Sequence, residues 1–368
     1  MARFELVSTT RHPKTLAIGV QAPYNRTKNI QAYYDEFLNL LSTNLIEPDV
    51  THFLKLREID STTFLTTGKL EEVRKICEEH QIEEVVISEP LTPQQERNLG
   101  SYINAVVFDR TQLILEIFEK ATHSAEGKLQ VEIALLKHKK GRLAGLGIEL
   151  SQQAGFKGMR AGPGETIKEI KKRHINEFIQ KSEKKLEEIE KIRSTQRKQR
   201  LENTIPQVCL VGYTNAGKSS ILNGLTKSSV LAEDKLFATL DTTTRELFLT
   251  PTKRVLISDT VGFIQFLPPH LIEAFKSTLS ELAYANLLLL VIDVSDPDWQ
   301  NHVHVVREIL SEIEVDRPIL YVFNKADKVE SIADLEFLFE QYQPYVITST
   351  TTKDGLVSLR NYLISQNF

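Results

Sequence analysis

Gly212, Tyr213, Thr214, Asn215, Ala216, Gly217, Lys218 and Ser219 run in the order G-x-x-x-x-G-K-[ST], directly after the short apolar stretch Gln207–Gly212. That spacing is a phosphate loop when a strand precedes it and a helix follows, and the segment from Ser220 onward can start a helix. The glycines let successive backbone N–H groups curl round phosphate oxygens, at a helix N-terminus whose dipole favours anions. Lys218 would bring a point charge to the β- and γ-phosphates of a nucleoside triphosphate, and the Ser219 hydroxyl would ligate Mg²⁺. Asp259-Thr260-Val261-Gly262 begins 42 residues beyond Gly217. A carboxylate there reaches the same metal, usually through water, while the Gly262 amide can donate to the γ-phosphate and so sense its presence. Between the two motifs, Phe237-Ala238-Thr239 lies in a loop that must deliver one more hydroxyl to the metal. Several threonines could supply it; Thr239 is favoured, with Thr242, Thr243 and Thr244 assigned toward the next strand.

Asn324-Lys325-Ala326-Asp327 supplies base selection. The Asp327 carboxylate can accept from both guanine N1–H and the 2-amino group, a donor pair that adenine lacks. Adenine would therefore leave a buried carboxylate unpaired. Asn324 can bond the other edge of the base, and the Lys325 stem can cover the ring. Lys218, Thr239 and Gly262 are thus the expected catalytic residues, and Ser219, Thr239 and Asp259 the expected metal ligands.

These motifs need strands to present them. Apolar runs at 207–212, 254–258 and 319–323 each end where a motif begins, as in a mainly parallel sheet of an α/β domain covering 205–368. The first 110 residues alternate strand-like segments (15–20, 53–56, 84–88, 105–109) with helical ones (30–45, 68–80), which predicts a second, smaller α/β domain. Its loops carry neither a phosphate fingerprint nor a metal-ligand cluster. Residues 111–143 and 167–201 each carry one apolar face at helical spacing, as in an antiparallel helical hairpin spanning 111–204. The joining segment, 141–164, holds seven of the chain's sixteen glycines together with Arg142, Lys157 and Arg160. Glycine permits sharp bends and close backbone approach, and a long loop without structure of its own is usually functional or disordered. Basic helix ends at Lys137, His138, Lys139 and Lys140 suit it to an RNA backbone.

Charge follows the same division. Residues 128–200 hold 19 Lys and Arg against 9 Asp and Glu, whereas 205–368 hold 13 against 20. A basic segment beside an acidic domain fits contact with nucleic acid, although helices are often covered in solvated charge. Two cysteines, Cys77 and Cys209, make neither a disulfide framework nor a metal cluster and read as buried hydrophobes of a reducing cytosol. The longest apolar run, 287–292, is far below the ~20 residues that span a bilayer. The N-terminal residues lack a signal-peptide core. A cytoplasmic monomer without a membrane span is the expectation.

Taken together the motifs resemble the translation-factor-related P-loop GTPases, with a Ras-like fold. The stretches LFATLDTTTR (236–245), DTVGFIQFLPPHLIEAFKSTL (259–279), GKLEEVRKI (68–76), FDRTQLILEIF (108–118), EGKLQVEIALL (126–136) and AGPGET (161–166) are similar to the HflX family of ribosome-associated GTPases. The resemblance implies a protein that binds the large ribosomal subunit and its rRNA, with the glycine-rich loop toward the peptidyl transferase region. It also implies a role in stress and ribosome splitting. A fifth motif contacting the base would fall at Ser349 and Thr350, where this chain has Ser-Thr-Thr instead of Ser-Ala-Lys. Thr242 stands where the family often has proline, and many members carry a further small domain beyond the position of Phe368. An alternative is an RNA-binding or remodelling protein with ATP-dependent activity in its N-terminal half. Phe263 occupies the place after DxxG where many small GTPases keep a water-orienting glutamine, so slow intrinsic hydrolysis is expected.

Overall fold

The computed structural model describes residues 12–25, 27, 29–143, 167–202, 205–226, 236–237, 243–268, 271, 279–352 and 354–366. Ala238, Thr239, Thr242, Lys157, Arg160 and most of the expected glycine-rich loop lie outside the described residues. The chain divides into two compact units, Met1–Ile114 and Leu115–Phe368.

The first unit carries β1 (Thr15–Gln21), α1 (Ile30–Thr43), β2 (Val50–Lys55), α2 (Thr67–His80), β3 (Glu84–Ile87), α3 (Pro93–Ile103), β4 (Val106–Phe108) and the start of α4 (Arg110–Ala121). The four strands form a parallel sheet in the order β2-β1-β3-β4. β1 is buried along nearly its whole length, as expected of a central strand covered by helices on both faces. Strand and helix periodicity passes over α3, yet its start is written locally. Thr92 accepts from the Gln95 N–H, Gln95 accepts from the Thr92 N–H, and Pro93 stands at the first helical position.

The single helix expected over 111–143 is two helices, α4 and α5 (Ala125–Leu143). The break has a local cause: the Ser124 hydroxyl accepts from the Gly127 N–H, so this serine caps a new helix. α5 packs along α6 (Ile167–Glu202), with Ser182 donating to Glu132 and Lys137 paired with Glu183.

The remaining elements are β5 (Gln207–Gly212), α7 (Lys218–Thr226), β6 (Thr243–Phe248), β7 (Arg254–Asp259), β8 (Leu287–Asp293), α8 (Trp299–Glu312), β9 (Ile319–Asn324), the short α9 (Glu336–Phe339), β10 (Tyr345–Ile347) and α10 (Val357–Ser365). Their six strands form a sheet in the order β10-β9-β8-β5-β7-β6, parallel except for the β6–β7 pair. Val208, Leu210, Ile257, Leu289, Val291 and Val322 project into one core against Ile221 and Leu222 of α7. The four-leucine run of β8 is buried because both faces of this sheet are covered. Among the described residues no helix is long and apolar enough to cross a membrane.

Candidate functional site

β5 delivers the phosphate loop in the middle of the sheet, between β7 and β8. Gly217 has φ +96°, a conformation that side chains strain to adopt, and a Cβ there would come within 2.3 Å of Asn324 Nδ2. Lys218 opens α7 and is buried; its Nζ donates to Tyr213 O at 2.8 Å and to Gly212 O at 3.2 Å. Burial lowers its pKa to about 8, opposed by the nearby charge of Asp259. Ser219 and Ser220 follow in the first turn of the same helix.

Asp259 ends β7 and is wholly buried, and its Oδ2 accepts from the Ser219 hydroxyl at 2.6 Å. This brings together two of the three expected metal ligands as a pair of hard oxygen donors, the kind that Mg²⁺ takes. Among the described residues no group of three or more His, Cys, Asp or Glu could hold a metal without help. A cation here would draw its other ligands from substrate phosphates and water, as Mg²⁺ does in phosphoryl-transfer sites. Thr260 donates to Leu210 O at 2.7 Å, fixing the DxxG segment to β5. Gly262 then passes so close to the loop that a Cβ would lie 2.8 Å from Thr214 Cα and 3.0 Å from Lys218 Nζ. Thr214 N donates to Phe263 O and Phe263 N to Gly212 O, making a parallel bridge between the two motifs. Phe263 is buried, and Val261 beside it is too.

The residues expected to read the base lie at the end of β9 and in the loop after β10. Asn324 is fully buried; its Nδ2 donates to Ala216 O at 2.9 Å and its Oδ1 accepts from Thr348 at 3.1 Å. Its amide therefore ties phosphate loop, β9 and the β10 loop together. Lys325 adopts a left-handed conformation, φ 61°, and its Nζ meets Asp293 Oδ2 at 2.6 Å. Ala326 and Asp327 form the following turn, where Asp327 is exposed and accepts from the Ser349 hydroxyl at 2.6 Å. That hydrogen bond is the main reason its carboxyl lies below the usual carboxylate range. Thr350 sits beside Ser349 and is half-buried.

Asn215 (φ 59°) and Tyr213 complete the loop. Thr243 and Thr244 begin β6, paired with Asp259 and Ser258 of β7. Phe237, grouped by the sequence with the nucleotide contacts, is buried with its ring against Phe118 of α4, centroids 4.6 Å apart. Sequence reasoning does not find Thr348, Asp293 or His302. The His302 ring stacks on Tyr213 at 3.8 Å and 10°. These partners come from distant parts of the chain, and no spacing rule points to them.

The same regions match three family models: residues 31–119 a GTP-binding GTPase N-terminal region, 121–200 a GTP-binding GTPase middle region, and 207–325 a 50S ribosome-binding GTPase. A GTPase HflX from Magnetococcus marinus is 46% identical over 307 residues, 83% of this chain and 71% of the relative. The chain belongs to the HflX family of GTPases. The HflX protein of Chlamydia pneumoniae is 36% identical over 97% of this chain and 77% of its own length. That of Escherichia coli is 42% identical over 73% of this chain and 63% of its own. A crystal structure of SsGBP with GDP has the same architecture, with a TM-score of 0.52 and 25% identity over 95% of this chain and 97% of that one. As an HflX-family protein the chain is a GTPase, and GTP and GDP are its substrate and product.

Proposed function

We propose that this chain is an Mg²⁺-dependent GTPase whose nucleotide state governs its binding to the large ribosomal subunit. The observation that supports this most is the convergence of three motifs on one site. Ser219 meets Asp259 at 2.6 Å, Gly262 lies against Lys218, and Asn324 bonds Ala216 of the phosphate loop at 2.9 Å. The backbone amides from Asn215 to Ser220 and the Lys218 ammonium would hold the phosphates. Ser219, Asp259 and Thr239 would hold Mg²⁺, which supplies charge neutralisation across the β- and γ-phosphates. Gly262 would sense the γ-phosphate, and Asp327, oriented by Ser349, would select guanine.

In this reading residues 1–110, 111–204 and 205–368 are the working parts, and the basic stretch 128–200 is the rRNA contact. The 50S ribosome-binding GTPase description of the family model matched by 207–325 supports that partner. Splitting of ribosomes under stress, by a monomer in the cytoplasm, is the outcome proposed. Sedimentation with large ribosomal subunits tests it: co-sedimentation should be stronger with a non-hydrolysable GTP analogue than with GDP. Equal, weak sedimentation in both states would overturn it.

A further inference from the structure

Tyr213 links the phosphate-loop lysine to the segment that senses the γ-phosphate. Its carbonyl accepts from Lys218 Nζ at 2.8 Å, while its phenol Oη accepts from the Gln265 N–H at 2.9 Å. Gln265 lies three residues beyond Gly262, whose amide is the one expected to meet the γ-phosphate. The phenol is held in place by its ring, which stacks on His302 of α8. His302 itself has Asp296 Oδ2 4.0 Å from its Nδ1. Tyr213 and Gln265 are both buried, so water competes poorly for this bond. With the Thr214–Phe263 and Phe263–Gly212 backbone bonds, the phenol pins the far end of the segment that Gly262 opens.

We infer that Tyr213, clamped by His302, is a positioning residue for recognition of the γ-phosphate. The inference rests on the GTP-site assignment above. GDP has no γ-phosphate for the Gly262 amide to meet, so the phenol bond matters to GTP and little to GDP. A phenylalanine at this position keeps the ring and the backbone carbonyl that holds Lys218, and removes the phenol oxygen that accepts from Gln265. Loss of that bond would loosen the segment and lower the preference for the triphosphate.

The test uses the full chain and fluorescent GDP and non-hydrolysable GTP-analogue binding, with amide hydrogen exchange over the peptide containing Gln265. Tyr213→Phe should shift the affinity ratio against the triphosphate about five- to tenfold, the size of one buried neutral hydrogen bond. Exchange at Gln265 should speed up in parallel. His302→Ala should shift the ratio in the same direction, and His302→Phe, which keeps the stack, should restore it. This second pair decides the matter if Tyr213→Phe does not fold. Loss of GDP and triphosphate affinity in equal measure would mean a merely structural tyrosine and overturn the inference, as would an unchanged ratio. A wild-type chain that binds neither nucleotide would overturn the site assignment instead.

Discussion

Asp327→Asn exchanges one carboxylate oxygen for an amide NH₂, and Ser349 decides which one. The Ser349 oxygen already accepts from the N–H groups of Thr351 and Thr352, at 3.3 and 3.4 Å. Its own hydrogen is therefore the one it gives to Asp327 Oδ1, at 2.6 Å. In the asparagine variant that hydroxyl keeps the carbonyl oxygen beside it and turns the NH₂ outward. Guanine presents two donors, N1–H and the 2-amino group, so a donor now faces a donor. One charge-assisted hydrogen bond worth about 1.5–3 kcal/mol disappears, and a mismatched pair adds to that. The total of about 2–4 kcal/mol corresponds to roughly 30- to 1,000-fold weaker GTP binding. Xanthine offers N1–H beside a carbonyl, which matches the amide, so xanthosine triphosphate should gain affinity. Adding Ser349→Ala should reduce that gain, because the amide is no longer oriented. Displacement of a fluorescent guanosine nucleotide by GTP and by xanthosine triphosphate measures both. GTP affinity within twofold of wild type in Asp327→Asn would show that Asp327 does not meet the guanine donors.

Nucleotide binding should take up a proton at alkaline pH. Lys218 is held at about 8 in the free site by burial, and phosphates favour its charged form, so affinity should fall as pH rises through that value. Calorimetry in buffers of different ionisation heat should find little uptake near about pH 7 and clear uptake near about pH 9. Phe118→Ala empties the buried contact with Phe237 and should cost about 3–5 kcal/mol in denaturant unfolding, with faster exchange at Phe237. Changing Lys139, Lys140, Arg142, Lys157 and Arg160 to alanine together should flatten the salt dependence of ribosome binding, by roughly 0.7–0.9 in logarithmic slope for each phosphate left without its cation. A slope that survives the change would make this region a spacer.

The candidate nucleotide site can be proposed from the sequence because its motifs are local: each is a few residues at the end of one apolar strand. Residues 207–212, 254–258 and 319–323 can be read as strands from composition alone, and the sheet places them close together. The division of 111–143 into α4 and α5 hangs on a single capping serine, Ser124, which an otherwise continuous helical pattern conceals. Long-range partners are less accessible. Asn324 looks like a base contact, yet its amide lies between Ala216 and Thr348, 108 and 24 residues away. The stack of Tyr213 on His302 and the contact of Phe237 with Phe118 likewise join segments whose spacing carries no pattern. Ser349 reads as a base contact from its motif, but its hold on Asp327 depends on the turn at Gly355, whose carbonyl accepts from Ser349 N.

Single-turnover hydrolysis of GTP should be followed with and without large ribosomal subunits. Phe263 occupies the position after DxxG, is buried, and has a side chain that can neither donate nor accept a hydrogen bond. Attacking water must then be oriented by backbone, by ordering of the switch segments, or by the partner. Hydrolysis by the free chain should be slow, and the large subunit should accelerate it on the order of 10³-fold or more if it supplies missing order or charge. A fast intrinsic rate that ribosomal subunits leave unchanged would contradict this mechanism.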